Sequence, residues 1–251
     1  MSLWAAVAIL GVGLAAGTLN TIVGSGTLIT FPTLLALGYP PIVANVSNTV
    51  GLLPGSISGA LGYRRELVGQ KARLRALGPA SVAGAATGAV LLLVLPESVF
   101  RSALPVLILG ACVLVAVQPR LARRVAARGG AERPHGGVLL LLGVFGCGVY
   151  GGYFGAAFGV ILIALLGIFV ADGIQRLNAA KNVLGALVNA VAAVLFIFLA
   201  DVAWGPAALL AVGSAAGGQV GARLGRRISQ GWLRAVIVVV GVTVAVRLLV
   251  V

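Results

Sequence analysis

Apolar residues run along this chain in long blocks, and polar residues fall between the blocks or in short clusters inside them. The first block, Leu3 to Gly38, is longer than the ~20 residues one transmembrane helix needs and shorter than the ~40 of two. Gly24-Ser25-Gly26 lies near its middle. A helix broken there leaves backbone N–H and C=O groups without partners, which a membrane interior tolerates only where the break lines a cavity or is buried in protein. The block is therefore predicted to be a broken helix or re-entrant hairpin, and its break one half of a substrate site. Tyr39-Pro40-Pro41 then makes a turn, and an apolar run covers Ile42 to Tyr63. A basic loop with Arg64, Arg65, Lys71, Arg73 and Arg75 follows. A run from Leu77 to Leu95, a turn at Pro96-Glu97-Ser98 and a run from Val99 to Val117 complete the first half.

The pattern then recurs. A linker from Gln118 to His135 carries Arg120, Arg123, Arg124, Arg128 and Arg133, with Gly129-Gly130 inside it. Beyond it, a second overlong block, Gly136 to Ala171, is interrupted by the stretch Gly151-Gly152-Tyr153-Phe154-Gly155-Ala156-Ala157-Phe158-Gly159. Runs at Asn178–Leu199, Gly205–Ala222 and Gly231–Val251 follow. Asn48-Thr49-Val50 answers Asn182-Val183-Leu184, Gly84-x3-Gly88 answers Gly217-x3-Gly221, and Phe100-Arg101-Ser102-Ala103 answers Leu233-Arg234-Ala235-Val236. The shared order and the spacing of about 133 residues predict an internal duplication. The expected fold class is all-α: a polytopic membrane protein of two inverted repeats, each an overlong broken or re-entrant helical segment plus three transmembrane helices. The expected organisation is a single membrane domain, 1–251, with repeat one at 1–118, a basic cytoplasmic linker at 119–135 and repeat two at 136–251.

Loop charge gives the orientation. The loops at Arg64–Arg75, at Arg120–Arg133 and at Arg223, Arg226 and Arg227 are strongly basic and expected inside, while the turns at Tyr39, Pro96 and Asp201 are expected outside. Tracing the path makes the halves run in opposite directions, with both termini outside, if each overlong segment begins and ends on one side. Small residues at Gly55-x3-Gly59, Gly84-x3-Gly88 and Gly217-x3-Gly221 read as close helix packing.

Composition agrees with a chain immersed in lipid: 60% of residues are hydrophobic, 9% are charged and the mean hydropathy is +1.13. A net charge of +13 would suggest nucleic acid in a soluble protein, but here the arginines sit in short loops between apolar runs, so no nucleic-acid partner is expected. Cys112 and Cys147 lie inside predicted spans without metal-ligand spacing and read as small buried hydrophobes. The start, Met1-Ser2-Leu3-Trp4, lacks the basic region and cleavage site of a signal peptide. No metal and no cofactor are expected.

Few groups within the spans can meet a polar ligand. Asn20, Thr21, Ser25 and Thr27 gather at the first break with Gly24 and Gly26, and Asn45, Ser47, Asn48 and Thr49 open the next run. In the second half Tyr153 lies at the break, Asn178, Lys181 and Asn182 open the following helix, and Asn189 lies two turns on. Glu66, Glu97, Glu132, Asp172 and Asp201 all fall in loops or at helix ends, where a cation site or carboxylate proton relay would place one inside a span. Hydroxyls, amides, helix N-termini and one lysine suit an anion. The candidate substrate-binding residues are Asn20, Thr21, Gly24, Ser25, Gly26, Asn48, Tyr153, Lys181 and Asn182. Each has a structural alternative: Lys181 can snorkel to the interface, Asn20, Asn48 and Asn182 can bond exposed backbone at the breaks, and Ser47 and Thr49 can bond their own helix. Ser25 between glycines invites a serine-hydrolase reading, but no span offers a histidine base and no zinc motif is present, so no catalytic residue is assigned.

The stretch Thr18–Leu37, the passage Gly38-Tyr39-Pro40-Pro41-Ile42-Val43-Ala44-Asn45 and Ser47-Asn48-Thr49 resemble the sulfite exporter family called TauE/SafE. Gly148-Val149-Tyr150-Gly151-Gly152-Tyr153-Phe154-Gly155 and Asn178-Ala179-Ala180-Lys181-Asn182 extend the resemblance to the second half. Two departures are Gly24-Ser25-Gly26, where relatives often have a longer glycine run, and Ala156-Ala157, where a proline often follows Phe-Gly. The resemblance implies a multi-pass inner-membrane protein of two similar halves that moves small sulfur oxyanions or organosulfonates. The function expected is therefore secondary transport of a small anion, sulfite or an organosulfonate, exported on the membrane potential or a proton gradient. An anion channel and a non-transporting membrane subunit are the alternatives, and a homodimer is left open.

Overall fold

The computed structural model describes residues 2–128 and 137–224 and, in the last apolar run, 238, 239, 242, 243, 245 and 246; the side chains of 119 and 121–128 are outside the description. The described chain is helical. In order it forms α1 (Leu3–Ile22), α2 (Thr27–Ala36), α3 (Pro41–Gly62), α4 (Lys71–Val94) and α5 (Glu97–Arg128), then α6 (Gly137–Tyr153), α7 (Phe158–Phe169), α8 (Ile174–Leu199) and α9 (Trp204–Leu224). Helices α1, α4, α8 and the Glu97–Gln118 part of α5 are long and apolar enough to cross a membrane. Large apolar side chains such as Leu10, Val106, Val113, Leu142 and Phe198 lie exposed on the outer faces, where hydrocarbon rather than water solvates them.

Local sequence explains the boundaries. The Ser2 hydroxyl accepts the Ala5 N–H at 3.2 Å and caps α1. Pro41 begins α3 at the first helical position, where its missing N–H costs nothing. Each overlong block does divide, but unequally: α1 has 20 residues and α2 has 10, while α6 has 17 and α7 has 12. So the first member of the first pair is itself long enough to span, not a short half-helix. Two further boundaries differ from the sequence reading. Lys71, Arg73 and Arg75 belong to the first turns of α4 rather than to a loop, and α5 continues through the first part of the expected linker as far as Arg128. Most of the Gly231–Val251 run lies outside the described residues, as do Arg226, Arg227, Glu132, Arg133, His135 and the Leu233–Val236 match.

Close backbone contacts at glycines set helix directions. Along α1 and α9, Gly13 faces Leu210 and Gly213, Gly17 faces Ser214, and Gly221 faces Thr18 and Thr21, so the two helices run parallel. Gly51, Gly55 and Gly62 of α3 face Leu210, Ser214 and Ala222 in the same sense. Hence α1 and α3 start at one end of the molecule, and α2 must carry the chain back to it. In the other half Gly84 faces Gly148 and Gly88 faces Val149 and Tyr153, so α4 and α6 run parallel. Gln70 bonds the Arg176 carbonyl and Gly78 faces Leu187, which sets α8 parallel to α4 as well. Each overlong block is thus a hairpin. At Gly17, Gly55, Gly84, Gly88, Gly213 and Gly221 a Cβ would collide with facing backbone, so these small residues serve helix packing.

Charged side chains tie one end together. Asp172, between α7 and α8, accepts from Arg73 Nη1 at 2.9 Å and from Arg176 Nε at 2.8 Å. Arg176 also donates to the Val68 carbonyl at 2.9 Å. One buried apolar cluster contains Phe31, Phe100, Phe154 and Phe196, fully buried or nearly so, and a second contains Leu77, Val170 and Leu177 near the charged end.

Candidate functional site

Helix α1 ends deep inside the protein, so its last carbonyls need partners that neither water nor lipid supplies. The Leu19 carbonyl takes the Val23 and Gly24 N–H groups at 2.7 and 3.1 Å, with Gly24 in the left-handed region at φ +84°, a conformation glycine adopts without strain. The next two carbonyls are met by α8. Lys181 Nζ donates to Asn20 O at 3.1 Å and to Thr21 O at 3.2 Å, and the amides of Asn178 and Asn182 each donate to Thr21 O at 3.3 Å.

Helix α6 ends in the same manner. The Tyr150 carbonyl takes the Phe154 and Gly155 N–H groups, both at 3.0 Å, with Gly155 at φ +76°. The Tyr153 carbonyl is met from α3 by Asn45 Nδ2 at 2.9 Å. The two breaks touch: Gly159 N–H donates to Gly24 O at 3.2 Å, and a Cβ on Gly159 would lie 2.6 Å from Gly24 Cα.

Between the breaks lies a cavity of about 30 Å³. Asn20, Thr21, Gly24 and Thr27 of the first break line it, facing Gly151, Gly155, Phe158 and Gly159 of the second. Ser56 of α3 and Lys181, Asn182, Gly185 and Asn189 of α8 close it. Thr27 and Phe158 are the first residues of α2 and α7, so both short helices begin at the cavity, and helix starts carry partial positive charge. Lys181 is 2% exposed and, among the described residues, forms no ion pair with a carboxylate. Its charge is met by the carbonyl end of α1, the favourable end of a helix for a cation.

Five of the nine residues singled out in the sequence line this cavity: Asn20, Thr21, Gly24, Lys181 and Asn182. The other four lie beside it. Ser25 is fully buried, and its hydroxyl has no hydrogen-bond partner among the described residues. Gly26 caps α2 and packs on the Ala16 carbonyl. Asn48 pins α2 to α3, accepting from the Thr30 hydroxyl and donating to Thr27 Oγ1 at 3.3 Å. The Tyr153 ring sits edge-on to Phe100 with centroids 5.7 Å apart. Lys181 does not snorkel to an interface; it reaches into the protein. Of the lining residues outside the nine, Thr27 shares the first polar cluster and Asn189 follows Asn182 by two helical turns, whereas Ser56 carried no signal in the sequence.

The family model described as sulfite exporter TauE/SafE matches residues 9–248. The chain is 30% identical over 235 residues to "Probable membrane transporter protein ORF9" of Sinorhizobium sp, covering 93% of this chain and 88% of that one. It is 29% identical over 246 residues to "Probable membrane transporter protein YfcA" of Escherichia coli (strain K12), covering 95% and 87%. A "Probable membrane transporter protein" of Haemophilus influenzae is 26% identical over 219 residues, covering 85% and 82%. No solved structure matches the chain at a comparable level.

Proposed function

The chain belongs to the sulfite exporter TauE/SafE family, and on that premise we propose that it is a secondary transporter carrying a small anion, sulfite or an organosulfonate, outward across the inner membrane. Membership makes it a polytopic membrane transporter; the substrate, direction and compartment are the proposal. The observation that carries the reading is Lys181, a buried cation without a carboxylate partner among the described residues, on a cavity where two short helices begin. A charge inside a membrane protein is costly and is retained for function. Two helix starts beside it add donors and partial positive charge, an arrangement suited to an oxyanion.

Two related features support alternating access by inverted repeats. Helix α1 packs on α9 while α6 packs on α4, an exchange of partners that a two-fold relation between the halves produces. Ser56 and Asn189 bond each other across that relation and lie 133 positions apart, the spacing of the internal duplication. Outward movement needs no coupling ion, because a negative interior drives each elementary negative charge outward with about 2.3 kcal/mol per 100 mV. Arg64, Arg65 and Arg223 gather at one end, which supports the expectation that this end is cytoplasmic and the termini external.

Sulfite flux in proteoliposomes under an imposed potential tests this. Saturable flux that follows the potential and collapses in a Lys181→Ala, Asn182→Ala variant is the expected result. Non-saturating flux identifies a channel instead, and flux equal to empty liposomes removes sulfite as the substrate.

A further inference from the structure

We infer that the cavity selects a small monoanion that carries an O–H group of its own, as hydrogensulfite does, over a bare sulfonate or a dianion. The inference rests on the anion-transporter reading above and narrows its substrate class. It comes from the direction of three amides. Asn182 turns its Nδ2 to the Thr21 carbonyl at 3.3 Å; a carbonyl only accepts, so that amide cannot be reversed. Asn20 and Asn189 turn their Nδ2 groups to one hydroxyl, Ser56 Oγ, at 3.2 and 2.8 Å. That hydroxyl has a single hydrogen, and it goes to the Leu52 carbonyl at 3.1 Å. Ser56 therefore has only lone pairs left to offer, and both asparagines must meet it with N–H.

The consequence is that three cavity-lining residues leave amide oxygens without a protein partner among the described residues. The cavity then holds one cation, Lys181, whose Nζ has a third hydrogen beyond the two given to Asn20 O and Thr21 O, together with three acceptors. An anion alone would satisfy the cation and face the amide oxygens with its own lone pairs. A dianion would do so at greater cost, with one positive side chain to meet two charges. An ammonium group would suit the oxygens but lie beside Lys181. A monoanion with one hydroxyl meets both kinds of group: its oxyanion faces Lys181 and the start of α2, and its O–H is given to an amide oxygen. Sites built to hydrogen-bond a substrate O–H discriminate strongly against the analogue lacking it.

Methanesulfonate and hydroxymethanesulfonate differ by one hydroxyl and share a single fixed negative charge, so the pair isolates this term. Isothermal titration of the purified full chain in nanodiscs with each probe is expected to show hydroxymethanesulfonate binding about ten-fold more tightly or better. In Ser56→Ala the shared acceptor is gone, the Asn20 and Asn189 amides are free to reverse, and the preference is expected to shrink to the part that Asn182 Oδ1, still fixed by the Thr21 carbonyl, supports. The comparison within the unaltered protein stands even if that variant does not fold. Equal affinity for the two probes, or tighter methanesulfonate, overturns the inference while leaving the anion carrier intact. A preference that Asn189→Leu and Ser56→Ala leave unchanged overturns the assignment to these amides. If neither probe binds and sulfite flux is also absent, the anion reading falls with it.

Discussion

The two helix breaks use one device and finish it differently. In both, a helix ends on a left-handed glycine, Gly24 or Gly155, and an asparagine from a neighbouring helix meets an exposed carbonyl. Those asparagines, Asn45 and Asn178, stand at the same spacing as the bonded pair Ser56 and Asn189. At the second break the Tyr150 hydroxyl also donates to the Ala156 carbonyl at 2.6 Å, and no cation joins among the described residues. Around it Phe31, Phe100 and Phe154 form an edge-on aromatic cluster with centroid distances of 5.3 and 6.1 Å, and Asn45 meets the Tyr153 carbonyl. At the first break Lys181 and Asn182 join Asn178, and a polar cavity opens beside them. At the 133-residue spacing of that bonded pair, Lys181 rather than Asn182 stands where the first half has Asn48, one residue from the match read in the sequence, and Asn48 fastens α2 to α3. A structural closure thus becomes a candidate binding site when one neutral amide is replaced by a cation.

The largest way to break this comparison is to remove that cation. Lys181→Met keeps the length of the side chain and takes away both the cap on α1 and the charge at the cavity. Flux in proteoliposomes is expected to fall about 100-fold, corresponding to roughly 3 kcal/mol for a lost charge-assisted contact. Asn48→Leu, at the matching position, is expected to lower thermal stability while changing substrate KM less than about two-fold, because Asn48 touches α2 rather than the cavity. Equal losses of flux in the two variants would mean that Lys181 is only a cap.

The glycines sharpen it next. Gly24→Ala places a Cβ on a left-handed residue and against Gly159, so a loss of at least about 1–3 kcal/mol is expected in a thermal or denaturant scan. The reverse change at the second break should stabilise. Ala157 has φ 56° and is the only non-glycine residue in that region among the described residues, so Ala157→Gly is expected to gain about 1 kcal/mol.

The breaks themselves were legible in the sequence, because block length and glycine placement conflict with any continuous helix. The first break, at 23–26, takes in the predicted Gly24-Ser25-Gly26, and the second, at 154–157, falls inside the predicted Gly151–Gly159 stretch. The turn at Tyr39-Pro40-Pro41 was equally plain, since proline at Pro41 starts a helix readily. The extent of α4 was less so: Lys71, Arg73 and Arg75 look like a loop by hydropathy, but nothing in them opposes helix, and Asp172 and Gln70 hold Arg73. Within the site, residue type announced Asn20, Thr21, Lys181 and Asn182. It did not say which way each side chain would turn. Asn48 and Tyr153 have the chemistry of ligands and spend it on α2 and on Phe100, a matter of helix rotation that one sequence does not encode locally. Ser56 was invisible for the opposite reason: it looks like one more small packing residue between Gly55 and Gly59, and becomes notable only when two amides converge on it.

A smaller difference separates the caps. Among the described residues Asn45 is the one side chain that meets the Tyr153 carbonyl, whereas Thr21 O keeps Lys181 and Asn182 if Asn178 is lost. Asn45→Leu is therefore expected to cost about 1–3 kcal/mol, and Asn178→Leu less than about 1 kcal/mol, by the rule that an unmet buried carbonyl carries most of the penalty. Comparable losses would show that the redundancy at the first break is apparent only.

A further small difference lies in the loops that lead out of the two hairpins. The second hairpin ends on Asp172, held by Arg73 and Arg176; the first ends at Gly38-Tyr39-Pro40, with no ion pair among the described residues. Burial alone would raise the Asp172 carboxyl, but the Arg73 hydrogen bond, the Gly173 N–H and the charges of both arginines outweigh it and hold the group below its ordinary range. A carboxyl lowered by folding stabilises the folded state above its unfolded value, about 3.9, and that contribution fades as pH falls through the lower folded value. Between neutral pH and about 5 the ion pairs should therefore leave stability unchanged, and below about 4 the protein should lose it progressively. Asp172→Asn is expected to cost about 1 kcal/mol at neutral pH, and to bring its stability close to that of the unaltered protein at acid pH. Thermal scans of both proteins across that range check it. Curves that stay parallel down to strong acid would show that Asp172 contributes through hydrogen bonding that an amide replaces, and that charge at this end of α8 does not distinguish the two hairpins.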